Sequence, residues 1–341
     1  MIVAIALLVY AVVLLAAGVP ALARARWPDR APRLAVFAWL GMTGTAAASI
    51  ALSGLALAVP QVRITASLMR LISASEIALR TQFLDPDDHV LAVAGSLFGV
   101  AVLGRVCWCT ARTMALARLA RRRYRRGLAM AGRVDDKLGA IIVDHDEPAA
   151  WCLPGGGAPV VLTSSALETL DAEHLAAVLA HERAHQRGRH HVLVGIAGSL
   201  SAAFPRLSAF RRTHEHVAWL VELLADDAAA AACSRLTVAE AILALGAASP
   251  EPAVLHASTH YTAARVRRLL AAPPALRRPV SVAGILAITA LSAFPLAVLA
   301  APTVALIGPA RSPVPGQHVR ASTRHVGPGS GSHAGQTAED E

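Results

Sequence analysis

Charge is scarce in this chain. Asp, Glu, Lys and Arg make up 16% of its 341 residues against 55% hydrophobic, and mean hydropathy is +0.50. That balance argues against an ordinary soluble two-domain protein, which the length alone would suggest. Cysteine is sparse as well. Cys107, Cys109, Cys152 and Cys233 form no C-x-x-C pair, and free thiols fit a reducing compartment. Basic residues are missing near the start, where Met1 runs directly into apolar residues. The first apolar run also exceeds the roughly 7–15 residues of a signal-peptide core, so we read it as a retained membrane span. Finally, no methionine follows Met130, an absence that bears on the chemistry below.

The abundant apolar residues are clumped. Runs at about 2–22, 34–59, 90–110 and 279–301 are each long enough to cross a bilayer, which takes about 20 mostly apolar residues. The net charge of +9 invites a nucleic-acid reading, but the arginines sit where membrane topology wants them. Arg24, Arg26, Arg30 and Arg33 fill the first connection. Arg112, Arg118, Arg121, Arg122, Arg123, Arg125 and Arg126 follow the third run, and Arg277 and Arg278 precede the fourth. The positive-inside rule then predicts residues 112–278 in the cytoplasm and both termini outside. The run RLARRRYRR reads as a juxtamembrane anchor facing anionic lipid, with no direct nucleic-acid partner. Arg105, near the cytoplasmic end of the third run, is expected to snorkel to that interface.

The predicted organisation is a membrane domain over 1–111, a cytoplasmic domain over 112–278, a fourth span over 279–301 and a disordered extracytoplasmic tail over 302–341. In the outer loop 61–89, ITASLMRLISASEIALR has the spacing of a surface helix. The tail carries His318, His325 and His333 at irregular spacing, which reads as solvated. In the cytoplasmic domain GAIIVDH, AAWCLP and PVVLTSS look like strands, with Gly155, Gly156 and Gly157 turning between the last two. Helices follow: DAEHLAAVLAHERAH with Asp171 as its cap, EHVAWLVELLADDAAAAA, one from about Thr237, and one including TAARVRRLL. Strands followed by helices predict a small α+β domain. The apolar stretch VLVGIAGSLSAAFP is short for a span and is open to two readings, a core helix or a re-entrant one.

The stretch HERAHQRGRHH carries the chemistry. Residues i and i+4 share a helix face, so His181 and His185 can present two imidazoles to one ion, with Glu182 beside them as the base for a polarised water. Such zinc sites usually take three protein ligands. Read long, His181, His185, Gly188 and His191 satisfy H-E-x-x-H-x-x-G-x-x-H, and His191 is the third. That pattern also requires a methionine turn downstream, and no methionine follows His181. The favoured alternative is Glu222, which shares a helix face with Asp226 and is flanked by Leu220, Val221, Leu223 and Leu224. A carboxylate in so apolar a setting needs a partner, and Asp226 is placed to hold a ligand imidazole. Asp227 lies off that face. His214 and His216, at the expected start of the helix, are weaker ligand candidates. His190 and His191 are expected at the polar end of the motif helix or shaping the cleft.

Four spans, an H-E-x-x-H domain between the third and fourth, and E-x-x-x-D downstream resemble the BlaR/MecR-type membrane metallopeptidases. HtpX-type and CAAX prenyl proteases are more distantly similar. PVVLTSSALETLDAEHLAAVLAHERAH and RVRRLL add to the likeness, which covers about 1–301. The resemblance implies a four-span helical membrane protein with a cytoplasmic, gluzincin-like α+β zinc protease domain. It implies Zn2+ on His181, His185 and Glu222, Glu182 as catalytic base and Asp226 behind the ligands. Ala150, Trp151 and Cys152 resemble the edge strand along which such enzymes pair an extended substrate. The partner is then a protein or peptide, a helix-turn-helix transcriptional repressor being a common substrate in that group. The chain departs from the sensor members in having no S-x-x-K and no outer penicillin-binding domain after the fourth span. Two alternatives stand beside regulated proteolysis: membrane-protein quality control, and a non-catalytic zinc-bound receptor, which would not need Glu182. A transporter is disfavoured by spans with almost no polar residues.

Overall fold

The computed structural model describes residues 1–58, 86–153, 159–247, 255–271, 274 and 276–304. The helix expected in ITASLMRLISASEIALR, the turn at Gly155–Gly157 and the tail with His318, His325 and His333 lie outside them. Among the described residues four helices are long and apolar enough to cross a membrane: Ile2–Arg24, Pro32–Leu57, Val90–Ala131 and Arg278–Leu299. The first is built from α1 (Ile2–Val13), a π turn at Leu14–Gly18 and α2 (Val19–Arg24). The others belong to α3 (Pro32–Ala58), α4 (Pro86–Ala131) and α11 (Arg278–Val304).

Small residues bring α3 and α4 together. A Cβ on Gly54 would lie 2.6 Å from the Gly95 carbonyl oxygen, and one on Gly99 would lie 2.8 Å from that of Ala51. Gly95 and Gly99 form a G-x-x-x-G step, which lets two apolar helices approach backbone to backbone. Helix α4 has 46 residues, about 69 Å at 1.5 Å per residue. It runs unbroken through position 111, where the sequence reading set a domain boundary, because Ala, Leu and Arg are all strong helix formers. Arg105 makes a contact that the sequence did not announce. Its Nε donates to the Ala203 carbonyl at 2.6 Å and its Nη2 to that of Ala202 at 3.4 Å. Those carbonyls end α7 (His190–Ala203), where unpaired C=O groups and the helix dipole attract a cation.

Four strands form one sheet in the order β1–β2–β4–β3. They are β1 (Gly132–Asp135), β2 (Ala140–Val143), β3 (Ala150–Cys152) and β4 (Val160–Thr163). Pairs β1–β2 and β3–β4 are antiparallel and β2–β4 is parallel. The last three are the expected strands. The extra one, GRVD, has no apolar alternation to announce it; Asp135 closes its hairpin by accepting from the amides of Lys137 and Leu138 at 3.0 and 3.1 Å. Strand β4 is buried throughout, and β1 and β3 are the two edges.

After α5 (Ser164–Thr169) come α6 (Ala172–Arg187), α7, α8 (Ser208–Ala232), α9 (Arg235–Ala247) and α10 (Leu255–Ala271). Asp171 caps α6 as expected, accepting from the His174 amide at 2.9 Å. Helix α8 starts at Ser208, so His214 and His216 lie inside it. Its two apolar faces belong to two cores. Val217, Leu220 and Leu223 pack with Ala35, Val36 and Trp39 of α3. Ala229 packs with Val178 and Leu179 of α6, Val238 of α9 and Leu269 of α10. Helix α7 buries Ala197 and Leu200 against the same scaffold. These contacts hold α8 rigidly against α6.

Candidate metal centre

The i,i+4 spacing does place His181 and His185 on one face of α6, and the α6–α8 packing brings Glu222 to them. Nε2 of His181 lies 3.1 Å from Nε2 of His185. Glu222 sets Oε2 at 3.5 Å from the first and Oε1 at 3.4 Å from the second. The three ligand atoms of His181, His185 and Glu222 all fall within 4.8 Å of one another, the one such grouping among the described residues. Tetrahedral zinc with bonds near 2.0–2.1 Å separates its ligand atoms by about 3.3–3.4 Å. The observed edges bracket that value, and two imidazoles with one carboxylate are a zinc donor set, so these residues fit the ion.

The surrounding charges favour a cation. Burial opposes charge on His181, yet the carboxylates of Asp226 and Glu222 hold its imidazole up at about 9. Burial also opposes charge on Glu222, but hydrogen bonds from His181 and His185 and the nearby Arg265 keep it well below the ordinary carboxylate range. Glu182 goes the other way. Burial raises its pKa despite both histidines and the neighbouring Cys152 thiol, which pull it down. Cys152 itself is pushed up to about 12 by burial and by Glu182, so it stays a neutral donor.

Asp226 is fully buried. Its Oδ1 meets Nδ1 of His181 at 3.1 Å. Burial raises its pKa, but a bidentate clasp by Arg265 outweighs this, with Nε and Nη2 donating at 2.8 and 2.6 Å. Arg265 also reaches Glu222 Oε2 at 3.2 Å through Nη1. Sequence reasoning missed Arg265. Its only trace was the helix TAARVRRLL, in which nothing marks one arginine from its neighbours. Arg268 clasps Asp227 instead, with two bonds of 2.8 Å.

The remaining expected residues fall as follows. Cys152, at the end of edge strand β3, meets Glu182; Ala150 and Trp151 precede it on that strand, and Trp151 packs with Leu128, Leu153 and Val161. His191 is half-buried and is not among the grouped ligands. Burial and the nearby Arg121 and Arg189 lower its pKa. His216 stacks on Trp39 with ring centroids 4.4 Å apart, away from the cluster. His190 is 6% exposed and puts its Nδ1 3.0 Å from Nδ1 of His185.

Residues 117–216 match the model of Peptidase family M48. The matched stretch holds the sheet, α6 and the H-E-x-x-H motif and stops short of Glu222. The match supports a metallopeptidase, a hydrolase class for which a His-His-Glu centre with an adjacent glutamate is the required equipment. No curated protein and no solved structure matches the chain.

Proposed function

We propose that the chain is a membrane-tethered zinc endopeptidase acting on a cytoplasmic or juxtamembrane polypeptide. The observation that carries this reading is the convergence of His181, His185 and Glu222 beside a half-buried Glu182. Zinc held there supplies a Lewis acid and a polarised water. Glu182, with its raised proton affinity, accepts the proton of the attacking water and hands it to the leaving amine. Asp226 keeps the proton of His181 on Nδ1, so that Nε2 faces the ion, and Arg265 keeps Asp226 ionised. The free edge of β3 supports substrate binding as an added strand along Ala150, Trp151 and Cys152.

The four long apolar helices and the arginine distribution support a bilayer as the setting, with 112–278 cytoplasmic and both termini outside. Cleavage of a transcriptional repressor is the signalling form of this activity and rests on the likeness to BlaR/MecR-type proteins. A non-catalytic receptor is the weaker reading, because a scaffold gains nothing from a second carboxylate set beside the ion.

Glu182→Gln separates the two. Zinc content of the purified full chain should stay at that of the native protein while proteolysis of a generic unfolded substrate such as casein falls by orders of magnitude. Full proteolysis in the variant would remove Glu182 as the base, and no zinc in either protein would remove the metal reading.

A further inference from the structure

We infer that His190 is a positioning residue that fixes the tautomer and orientation of His185 at the metal. The inference rests on the zinc reading of the site. His185 turns Nε2 toward His181 and Glu222, at 3.1 and 3.4 Å, which leaves Nδ1 facing outward. An imidazole that gives its Nε2 lone pair to a cation carries its proton on Nδ1, and that N–H needs an acceptor. For His181 the acceptor is Asp226. For His185 the group in reach is Nδ1 of His190, 3.0 Å away, with the two rings at 85°. It accepts when its own proton sits on Nε2. The centre is therefore asymmetric: one ligand histidine is backed by a carboxylate, the other by a neutral imidazole.

The turn between α6 and α7 is shaped for this contact. Arg189 has φ of 49°, the one non-glycine residue with positive φ among the described residues. Its left-handed conformation starts α7 at once and folds the His190 ring back against the last turn of α6. Gly188 has φ of −75°, which any residue accepts, so the backbone does not demand glycine there. The ring does. A Cβ on Gly188 would overlap Nε2 of His190 and lie 2.6 Å from its Cδ2. Gly188 is thus matched to His190, and the glycine that makes the stretch look like H-E-x-x-H-x-x-G-x-x-H serves the residue before His191.

The test is the zinc dissociation constant of the full chain in detergent, measured by chelator competition, with melting of the metal-free protein alongside. His190→Phe keeps a ring without an acceptor and should weaken zinc binding about 10–100-fold, the usual cost of losing a partner behind a ligand. His190→Asn restores a carbonyl acceptor and should recover most of that loss. Gly188→Ala should weaken zinc binding in the native background and cost little further beside His190→Asn, where the ring is gone. A role confined to packing would lower melting of the metal-free protein equally in His190→Phe and His190→Asn and leave zinc affinity alone. Native affinity in His190→Phe, or equal losses in His190→Phe and His190→Asn, would overturn this inference alone. A native chain that binds no zinc would overturn the metal reading and this inference together.

Discussion

Glu182 and Glu222 flank the same pair of histidines, both half-buried, and are driven in opposite directions. Burial disfavours ionisation of both, but Glu222 receives two imidazoles and an arginine while Glu182 receives weaker compensation. Proton affinities pushed apart in this way separate a ligand from a base. The ligand assignment has a paired test. Glu222→Ala should lose zinc well beyond the roughly 10–100-fold expected for Asp226→Ala, which removes only the partner of His181. His191→Ala should keep stoichiometric zinc, measured by metal analysis of the purified protein. Zinc kept in Glu222→Ala and lost in His191→Ala would reverse the assignment. At this scale the sequence was legible for His181, Glu182 and His185, because helical spacing alone puts them together. Arg265 was illegible, since only the packing of α10 on α8 distinguishes it from Arg267 and Arg268.

Edge strand β3, the proposed substrate strand, reaches the proposed base through Cys152. The thiol, a potential donor beside Glu182, favours its ionised form. Removing that donor raises the pKa of Glu182, and a higher pH is then needed to empty it. Cys152→Ala should therefore move the acid limb of the kcat/KM profile upward, while Cys152→Ser, which keeps a donor, should hold it near the native position. An unmoved limb in Cys152→Ala would detach the strand from the base. Short apolar runs between turn residues announced β2, β3 and β4, whereas β1 was missed because GRVD owes its pairing to the neighbouring Ala140–Val143. The G-x-x-x-G step at Gly95 and Gly99 stood in the sequence, but its partner Gly54 is far away in the chain and became visible only in the crossing of α3 and α4.

At the scale of the whole molecule, the apolar helices are coupled to the candidate metal centre through α8, which shares one core with α3 and another with α6. The arrangement makes a candidate span, α3, part of the scaffold that holds Glu222. The expected topology is tested by reporter fusions at Gly132 and Gly316, which should label opposite faces of the membrane; matching labels would sink the four-span arrangement. The basic arm of α4 continues from an apolar stretch without a break, so one helix carries both the candidate span and the arginine cluster that follows it.

The sequence by itself determined what depends on near neighbours: long apolar runs, the side on which arginines gather, the cap at Asp171, and two histidines and a glutamate on one helix turn. Each follows from a period or a spacing within a few residues. Tertiary structure decided which candidate third donor stands beside the histidine pair, because Glu222 and His191 were both chemically competent and the α6–α8 contact brings Glu222 to His181 and His185. It also decided that Arg265 holds Asp226, that Arg105 ends α7, and that Gly188 makes room for His190. Those outcomes depend on distances between segments remote in sequence, and such distances are set by how apolar faces pack.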